Sequence, residues 1–460
     1  MKSRELLHKH MLFANSPYYY FTDAVLRAPT IGSMLMCLGA SLVGVLVFLR
    51  KESLLGESLS HAAYPGVMIG VILAGILHLG EDQEMVVASL IMVAAGLTAL
   101  GGLWAIRWLE NSLKVPSDSA LCFILAAFFG IGLTLASQVQ FSFSTLYRQA
   151  QVYLYGQAAT MTDIHIFVYG TLALLITLTL IFLYKEIQTI LFNKDYAKSL
   201  GINVSGIDAI IFVLIVLAVV IGIRSVGVVL MSAMLISPAA AARQYTNRLS
   251  IMFVWAACFG LISGYLGNYL SIEISNYLAS LYPSARLALP TGPMVVLVSS
   301  CICLLSLLLA PERGVLLRVL RIAKFRHRCM CENLLKAIWR IQGPHPVSFE
   351  QIAKHQSASK LYLRFALWRL VRNGWMVKAG KKAYQLTKEG NVWAAKIVRL
   401  HRLWEVYLVD YLGIGAEKVH LNAEEMEHVI TPELEDKLII LLNDPKQDPH
   451  HQLIPAQINL

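Results

Sequence analysis

The sequence predicts an all-α polytopic membrane domain of about eight to nine transmembrane helices, followed by a soluble region that begins with a winged helix-turn-helix. Two observations support this division. Of the 460 residues, 57% are apolar and 15% are charged, whereas soluble globular proteins carry about a quarter of their residues as Asp, Glu, Lys or Arg. Residues 1–310 hold 16 Lys+Arg and 14 Asp+Glu, whereas residues 311–460 hold 23 and 15. This composition excludes intrinsic disorder and a single soluble enzyme domain.

Nine apolar runs in the first part are long enough, or nearly so, to cross a bilayer, which needs about 20 helical residues. They cover residues 30–49, 54–79, 85–106, 120–140, 163–184, 208–223, 225–242, 251–271 and 293–310. The sixth and seventh runs are adjacent and short. The alternative to two separate crossings is that this pair forms a single broken excursion into the membrane.

Positive charges predict the orientation of these runs, because Lys and Arg accumulate in cytoplasmic loops. With nine crossings, the basic loops fall on one side and end with the dense run from Arg313 to Arg328. A loop on the opposite side contains Glu81 and Asp82. We therefore expect the C-terminal region in the cytoplasm, and we expect residues 1–29 to form an interfacial segment.

The second apolar run contains two ionisable residues, Glu57 and His61, which are costly within a bilayer and are therefore functional candidates. They lie about 9 Å and about 15 Å in from Lys51 and share one helical face. A carboxylate and an imidazole suit Mn²⁺, Fe²⁺ or Zn²⁺ better than Ca²⁺ or Mg²⁺. The alternative is a Glu–His hydrogen bond that only ties helices together. Pro65 and Gly66 follow directly, where a weakened helix can move or expose carbonyls.

Two further segments on the predicted cytoplasmic side are candidates for contact with a partner. Residues 185–207 carry apolar residues at helical spacing, which fits either a surface helix without a partner or a docking element. Residues 225–243 are rich in small side chains that allow close packing, and Pro238 ends or kinks this segment. The sequence contains no G-x-x-x-x-G-K-[ST] phosphate loop. We therefore expect neither ATP hydrolysis nor any other enzymatic activity in this chain.

Five motifs occur in order between residues 25 and 310: Phe48-Leu-Arg50, the run from Leu54 through Glu57 and His61 to Gly66, the loop 192–201, Val226-Gly227 to Pro238 and Arg243, and Leu289-Pro-Thr-Gly-Pro293. Together they resemble the permease subunit of bacterial ATP-binding-cassette importers for zinc, manganese and iron. The resemblance implies a homodimeric or paired permease in the cytoplasmic (inner) membrane, a cytoplasmic ATPase and an external metal-binding protein.

The same resemblance assigns roles to individual residues. Glu57 and His61 correspond to the intramembrane Asp and His of the family, so the metal would pass them, and Glu57 departs from the commoner Asp. The residues expected to contact the ATPase are Phe192, Asp195, Ala197, Leu200, Gly201, Pro238 and Arg243.

The pattern from about residue 330 predicts the winged helix-turn-helix. A helix from Ser357 to Asn373 has one apolar face, and strand-like pieces at 375–378 and 383–386 flank two lysines. This fold places its third helix in the DNA major groove and its wing on phosphates. The alternative is a solvated basic face on a protein-binding winged helix. The expected DNA contacts are Lys360, Arg364, Arg372, Lys381 and Lys382.

Residues after Thr387 carry groups typical of metal ligands. His401 and Glu405 are four apart on one predicted helix, and the next ligand-type residues share a second helical face: His420, Glu424, Glu427 and His428. Oxygen and nitrogen ligands without thiolate predict Mn²⁺ or Fe²⁺, with Zn²⁺ as a further candidate. The alternative is a set of ordinary helical salt bridges.

Four segments of this region, Leu386–Gly390, Leu400–Glu405, 418–429 and 448–455, resemble the diphtheria-toxin-repressor family of metal-dependent transcription regulators. The resemblance implies metal-stabilised dimers on palindromic operator DNA. It makes His401, Glu405 and His420 one ligand group, and Glu424, Glu427 and His428 the other. Glu424 stands where iron-type members have Cys and manganese-type members have Glu. The N-terminal ligand of the family falls on Asn333, which is neither Met nor Asp.

We therefore predict a fused metal-importer permease and metal-sensing repressor. The expected regions are an N-terminal segment (1–29), the permease (30–310), a basic linker (311–331), the winged helix-turn-helix (332–390) and a metal-binding and dimerisation domain (391–455). Because a membrane anchor restricts a repressor, we hypothesise cleavage in the linker. The alternatives are an ATPase-independent secondary transporter and a tail that regulates the permease without binding DNA. The ligand types accept Fe²⁺, Mn²⁺ and Zn²⁺, so they do not identify the metal.

Overall fold

The structure, a computed structural model, describes residues 18–78, 83–282, 288–342, 345–356, 358–380 and 383–456. The chain divides into two units, with the boundary between Leu317 and Arg318. We call these the first unit and the second unit.

The first unit is a helical bundle. Its helices are α1 (Tyr19–Thr22), α2 (Arg27–Leu49), α3 (Leu55–Ile76), α4 (Glu84–Ser112), α5 (Ser117–Ser142), α6 (Ser144–Tyr155), α7 (Asp163–Phe182), α8 (Tyr184–Phe192), α9 (Lys194–Ser199), α10 (Val204–Val226), α11 (Met231–Arg243), α12 (Leu249–Leu281) and α13 (Thr291–Leu309). Within the described residues, 8 helices are long and apolar enough to cross a membrane: α2, α3, α4, α5, α7, α10, α12 and α13. The predicted polytopic all-α class is confirmed, although the seventh apolar run contains only the 13-residue α11.

The link between α10 and α11 explains why the sixth and seventh runs are adjacent and short. Gly227 ends α10 with a φ of 95°, and a Cβ at this position would lie 2.5 Å from the carbonyl oxygen of Leu154. The next residue, Val228, donates its N–H to the carbonyl of Tyr153 at 3.0 Å. The non-helical backbone is thus satisfied by a neighbouring segment, as a membrane interior requires.

Helix α11 then returns the chain to the end of the bundle where α2 finishes. Near its start, the sulfur of Met234 lies 4.0 Å from that of Cys37, in the middle of α2. Near its end, Ala242 shares a hydrophobic cluster with Val45 and Phe48, close to the end of α2. Helix α11 therefore runs along the second half of α2, and it is shorter than the 8 candidate spans of the described residues.

Charged side chains gather at this end of the bundle. Arg50 lies 2.5 Å from Asp208, Lys194 lies 3.5 Å from the same carboxylate, and Arg107 lies 3.4 Å from Glu52. These residues belong to the ends of α2, α4, α9 and α10 or to the loop before α3. The loops predicted to share one side of the membrane therefore lie at one end of the bundle.

Helix α3, which carries Glu57 and His61, is enclosed by its neighbours along most of its length. Close approach to α4 depends on Gly66, where a Cβ would lie 2.2 Å from the hydroxyl oxygen of Thr98. Pro65 does not interrupt the helix, which is continuous from Leu55 to Ile76. It only removes the N–H that would bond to the carbonyl of His61.

The second unit contains α14 (Val315–Ile341, beginning just before the boundary), β1 (Val347–Ser348), α15 (Phe349–Lys354), α16 (Lys360–Arg372), β2 (Met376–Lys378), β3 (Ala383–Leu386), α17 (Lys388–Asp410), α18 (Ala416–Met426) and α19 (Pro432–Leu441). The strands form an antiparallel sheet in the order β1-β3-β2, with Val347 opposite Tyr384 and Met376 opposite Leu386. Helices α14 to α16 pack on one core with this sheet, so the predicted winged helix-turn-helix is confirmed. Its β1 was not predicted, because two residues are too short for a strand pattern.

The basic segment 311–331 differs from the linker that we expected. It is helical from Val315 onwards, as part of α14, since no Gly or Pro occurs between residues 315 and 341. Irregular backbone is limited to a turn at 310–314.

Candidate metal sites and interfaces

The membrane pair lies on α3, with Glu57 half-buried and His61 buried one turn further on. The imidazole of His61 packs edge-on against Phe129, with ring centroids 4.6 Å apart. Its Nδ1 atom is buried without a hydrogen-bond partner, and the described residues contain no hydrogen bond between Glu57 and His61. A buried ring nitrogen without a hydrogen-bond partner is costly unless something else satisfies it. The geometry therefore lacks the Glu–His hydrogen bond that the alternative interpretation requires.

The predicted ATPase contacts around residues 185–201 form a helical turn on the surface. Asn193 caps α9 by accepting hydrogen bonds from the N–H groups of Asp195 and Tyr196 at 2.8 and 3.0 Å. The cap projects two apolar side chains: Phe192 is 84% exposed, and Leu200 is also exposed beside Gly201, whose φ is 77°. Asp195 is exposed as well.

Ala197, Pro238 and Arg243 are placed differently from these exposed residues. Ala197 is buried between α9 and the bundle, and Pro238 is buried within α11. Both are enclosed by other residues of this chain. Arg243, at the end of α11, is half-buried and donates to the carbonyl of Thr246 at 3.3 Å.

Three of the predicted DNA contacts lie on the exposed face of α16: Lys360, Arg364 and Arg372. The opposite face packs into the core through Leu363, Ala366, Leu367 and Leu370. Arg369 is also exposed on this helix; sequence reasoning missed it, although it lies one turn before Arg372. The predicted wing residues Lys381 and Lys382 lie outside the described residues.

Three ligand-type residues come together where α17 packs against α18. His401 and Glu405 lie one turn apart on α17, and His420 approaches them from α18. The Nε2 atom of His401 is 3.0 Å from Nδ1 of His420 and 3.2 Å from Oε1 of Glu405, and His420 Nδ1 is 3.0 Å from Glu405 Oε1. We call these three residues the three-ligand cluster. Among the described residues it is the one group of three His, Cys, Asp or Glu arranged to hold a metal ion.

The spacing and chemistry of the three-ligand cluster fit a transition metal. Ligands about 2.1 Å from one ion lie about 3.0 to 3.4 Å from each other, which matches the observed triangle. Two imidazoles and a carboxylate suit Mn²⁺, Fe²⁺ and Zn²⁺. A cavity of about 470 Å³ adjoins the cluster and leaves room for water or a further ligand; Arg402, Asp448 and His450 are among the residues that line it.

Hydrogen bonds set the charges within the cluster. Burial raises the pKa of Glu405, but hydrogen bonds from His401 and His420 lower it to about 2. Burial lowers the pKa of His401, but hydrogen bonds to Glu405 and Glu427 raise it above its ordinary value. Glu405 is therefore a carboxylate at neutral pH, whereas a proton on His401 competes with any metal ion for the imidazole.

The second predicted ligand group does not form a similar triangle. Glu427 is bound by Lys336, whose Nζ lies 2.7 and 2.8 Å from the two carboxylate oxygens, and by Nδ1 of His401 at 2.6 Å. His428 instead bonds through Nδ1 to Glu332 at 2.7 Å. Glu424 is half-exposed, and its Oε1 lies 3.8 Å from Nε2 of His420.

Sequence reasoning missed Lys336 and Glu332. The sequence did contain a signal for both: each is a charged residue among the apolar residues of α14 that face the core, where a charge needs a partner. Asn333, the predicted N-terminal ligand, lies on the same helix, and its Oδ1 is buried without a hydrogen-bond partner among the described residues.

Comparisons with known proteins divide the chain in a similar way. Residues 22–310 match the model of the ABC 3 transport family, and residues 387–456 match the iron dependent repressor, metal binding and dimerisation domain. A probable metal transport system membrane protein of Chlamydia trachomatis is 36% identical over 95% of this chain and 97% of its own length. The manganese transport system membrane protein MntC of Bacillus subtilis is 31% identical over 84% of each chain.

One solved structure supports the fold of the first unit. PsaBC from Streptococcus pneumoniae, in complex with Fab, matches with a TM-score of 0.53 and 25% identity, over 66% of this chain and 98% of that chain.

Proposed function

Because the chain belongs to the ABC 3 transport family, we propose that it is the permease subunit of an ATP-driven importer for a divalent transition metal, and that its second unit is a metal-dependent repressor. The observation that carries this proposal is the three-ligand cluster, a transition-metal donor set in the same chain as a transport bundle. The candidate metals are Fe²⁺, Mn²⁺ and Zn²⁺.

The ion crosses the first unit as cargo, past Glu57 and His61. The unpartnered Nδ1 of His61 supports this route, because a buried imidazole is available to an ion in transit. Glu57, one turn away, supplies negative charge along the same helical face. Sites of this kind must bind weakly enough to release the ion again.

Transport requires partners that this chain does not supply. The exposed Phe192 and Leu200 beside the capped α9 support docking of a separate ATPase at the charged end of the bundle. That end lies in the cytoplasm, consistent with its accumulation of Arg and Lys. A second permease copy or a paralogue completes the pathway in the bacterial inner membrane, and an external metal-binding protein delivers the ion.

The second unit binds operator DNA as a homodimer when it holds metal. Support comes from the basic exposed face of α16, since exposed Arg and Lys on the third helix of a winged helix-turn-helix suit phosphates and base edges. Metal at the three-ligand cluster joins α17 to α18 within the region that matches a metal-binding and dimerisation domain. Repression of uptake genes then follows entry of the ion.

Proteolytic release frees the second unit from the membrane. The turn at 310–314 is the part of the basic segment where the backbone is already irregular, which a protease needs. Immunoblots with an antibody to the second unit test this step across metal levels. A shorter fragment is expected, and full-length chain alone at every metal level contradicts release.

Uptake of Mn²⁺ and Fe²⁺ by cells that express the chain together with its ATPase tests the transport proposal. We expect Glu57→Ala and His61→Asn to abolish uptake without reducing membrane insertion. His78→Asn is the matched control, because His78 is exposed just beyond the end of α3. Transport retained by His61→Asn would show that His61 has only a structural role. Uptake without any ATPase would favour a secondary transporter instead.

A further inference from the structure

Lys336 is a buried lysine in the core of the second unit. It is 4% exposed and lies between Leu335 and Ile338 in the apolar face of α14. Its ammonium bonds to both carboxylate oxygens of Glu427 at 2.7 and 2.8 Å, and the side chain of Glu427 has 0% exposure. An ammonium group in a protein interior is stable only when it is paired in this way. Lys336 therefore belongs to the ligand region that the sequence predicts and does not face solvent.

The surroundings of this ammonium are donors suited to a cation. Glu424 Oε1 lies 3.9 Å from Nζ of Lys336, and Nε2 of His428 lies 3.6 Å from Glu427 Oε1. The same Nε2 atom is buried and has no hydrogen-bond partner within the part of the chain that the structure describes. The same holds for Oδ1 of Asn333, which lies one turn before Lys336 on α14. The donors are thus the carboxylates of Glu424 and Glu427, an imidazole nitrogen and an amide oxygen. The positive charge beside the two carboxylates is the ammonium of Lys336.

We propose that the ammonium of Lys336 takes the place of a second metal ion on Glu427, so that the second unit holds a single metal ion, at His401, Glu405 and His420. A metal bound to Glu427 would have to displace the ammonium from both carboxylate oxygens or lie beside its positive charge. This inference rests on the metal-dependent function proposed above, and it specifies how many ions that function uses.

The ion pair with Lys336 gives Glu427 a positioning role. Its Oε2 accepts the Nδ1–H of His401 at 2.6 Å, which turns Nε2 of the same ring toward Glu405 and His420. A carboxylate behind a metal-binding imidazole fixes the tautomer and orientation of the ring. Lys336 keeps Glu427 in place from the other side, so the chain Lys336–Glu427–His401 prepares the three-ligand cluster.

The lysine also joins two parts of the second unit without metal. It connects α14 to Glu427, the residue that follows α18, and this connection needs no ion. The metal response is then limited to the contact between α17 and α18. With one ion in each second unit, no cooperation between two ions is expected within one chain.

Counting bound ions tests the proposal with the full-length protein in detergent. Mn²⁺ per chain is measured by equilibrium dialysis and elemental analysis for the wild type and for Lys336→Met, Lys336→Arg, His428→Gln and His420→Ala. Any ions bound by the first unit are common to all of them and cancel in the differences. We expect one additional Mn²⁺ for Lys336→Met, none for the charge-preserving Lys336→Arg, no change for His428→Gln and the loss of one ion for His420→Ala.

Two results would overturn the proposal. Unchanged binding by Lys336→Met would show that the lysine does not occupy a cation position, and loss of an ion from His428→Gln would show that a second ion binds despite Lys336. The His428→Gln result applies even if Lys336→Met unfolds, which its thermal melting with and without Mn²⁺ reveals. Unchanged binding by His420→Ala would instead refute the three-ligand cluster and, with it, the metal-dependent function proposed for the second unit.

Discussion

Two glutamates in the second unit have different roles at the scale of single residues. Glu405 lies within the three-ligand cluster, 3.0 Å from His420, whereas Glu427 bonds to Lys336 and to the far nitrogen of His401. Hydrogen bonds lower the pKa of both carboxyl groups against the effect of burial. Both are therefore carboxylates at neutral pH, and of the two it is Glu427 that pairs with an ammonium group.

The raised pKa of His401 predicts a pH dependence of metal binding. Hydrogen bonds to Glu405 and Glu427 keep its imidazole protonated to a higher pH than an ordinary histidine, despite the opposing effect of burial. A metal ion must displace that proton, so affinity should fall by about tenfold per pH unit below the pKa of His401. Mn²⁺ titrations of the second unit between about pH 6 and about pH 8 measure this slope. An affinity that does not change with pH would contradict the role of His401.

At the scale of secondary-structure elements, close approach of α3 to α4 holds the membrane pair in place. Gly66→Ala would put a Cβ 2.2 Å from Thr98 and 2.3 Å from the carbonyl of Ala94. We expect destabilisation of about 1 to 3 kcal/mol from this overpacking. Gly96→Ala on α4 is the matched control, because nothing lies within 4 Å of its Cβ position. Thermal unfolding in detergent measures both, and equal melting temperatures would contradict the packing argument.

The surface turn at α8 and α9 supports a second prediction at this scale. Phe192→Ala removes an 84% exposed ring at the proposed ATPase contact, and loss of an aromatic side chain buried in an interface costs about 1.5 to 3 kcal/mol. We expect association with the ATPase to weaken by tenfold or more, measured by co-purification and stimulated ATP hydrolysis.

Phe141→Ala provides the control for that experiment. Phe141 is also 84% exposed, but it lies at the opposite end of the bundle, near the end of α5. It should leave the association unchanged. Equal effects of the two substitutions would show that the ATPase does not dock at Phe192.

Elements differ in how far the sequence predicts them. The helices with strong apolar patterns and the β2–β3 wing follow from periodicity and turn residues, because those signals are local. The break at Gly227 and the two-residue β1 depend on contacts with distant segments, Tyr153 and Tyr384. Local pattern does not contain such contacts, so these features could not be predicted in detail.

The candidate sites show the same limit. Helical spacing pairs His401 with Glu405, and the resemblance to the repressor family adds His420 to this group. The structure brings the three residues together. The pairing of Lys336 with Glu427 joins residues 91 positions apart in the sequence. No periodicity links those two residues, so the sequence predicts the group of Glu424, Glu427 and His428 without this lysine.

At the scale of the whole molecule, a charge-poor unit that matches a transport family and a basic unit with a metal-ligand cluster share one chain. Their covalent connection gives equal amounts of permease and sensor from one synthesis event. If both recognise the same ion, uptake lowers further uptake through the second unit. This feedback is the central claim, and it requires that DNA binding depends on metal at the three-ligand cluster.

DNA binding by residues 318–460 tests that claim most directly. The measurement is fluorescence anisotropy with a palindromic duplex from upstream of the uptake genes, at a fixed salt concentration of about 0.15 M. We predict binding at least about tenfold tighter with Mn²⁺ or Fe²⁺ than with a chelator, and loss of this difference in His401→Asn but not in the exposed control His355→Asn. Equal affinity with metal and with chelator in the wild type would contradict the account.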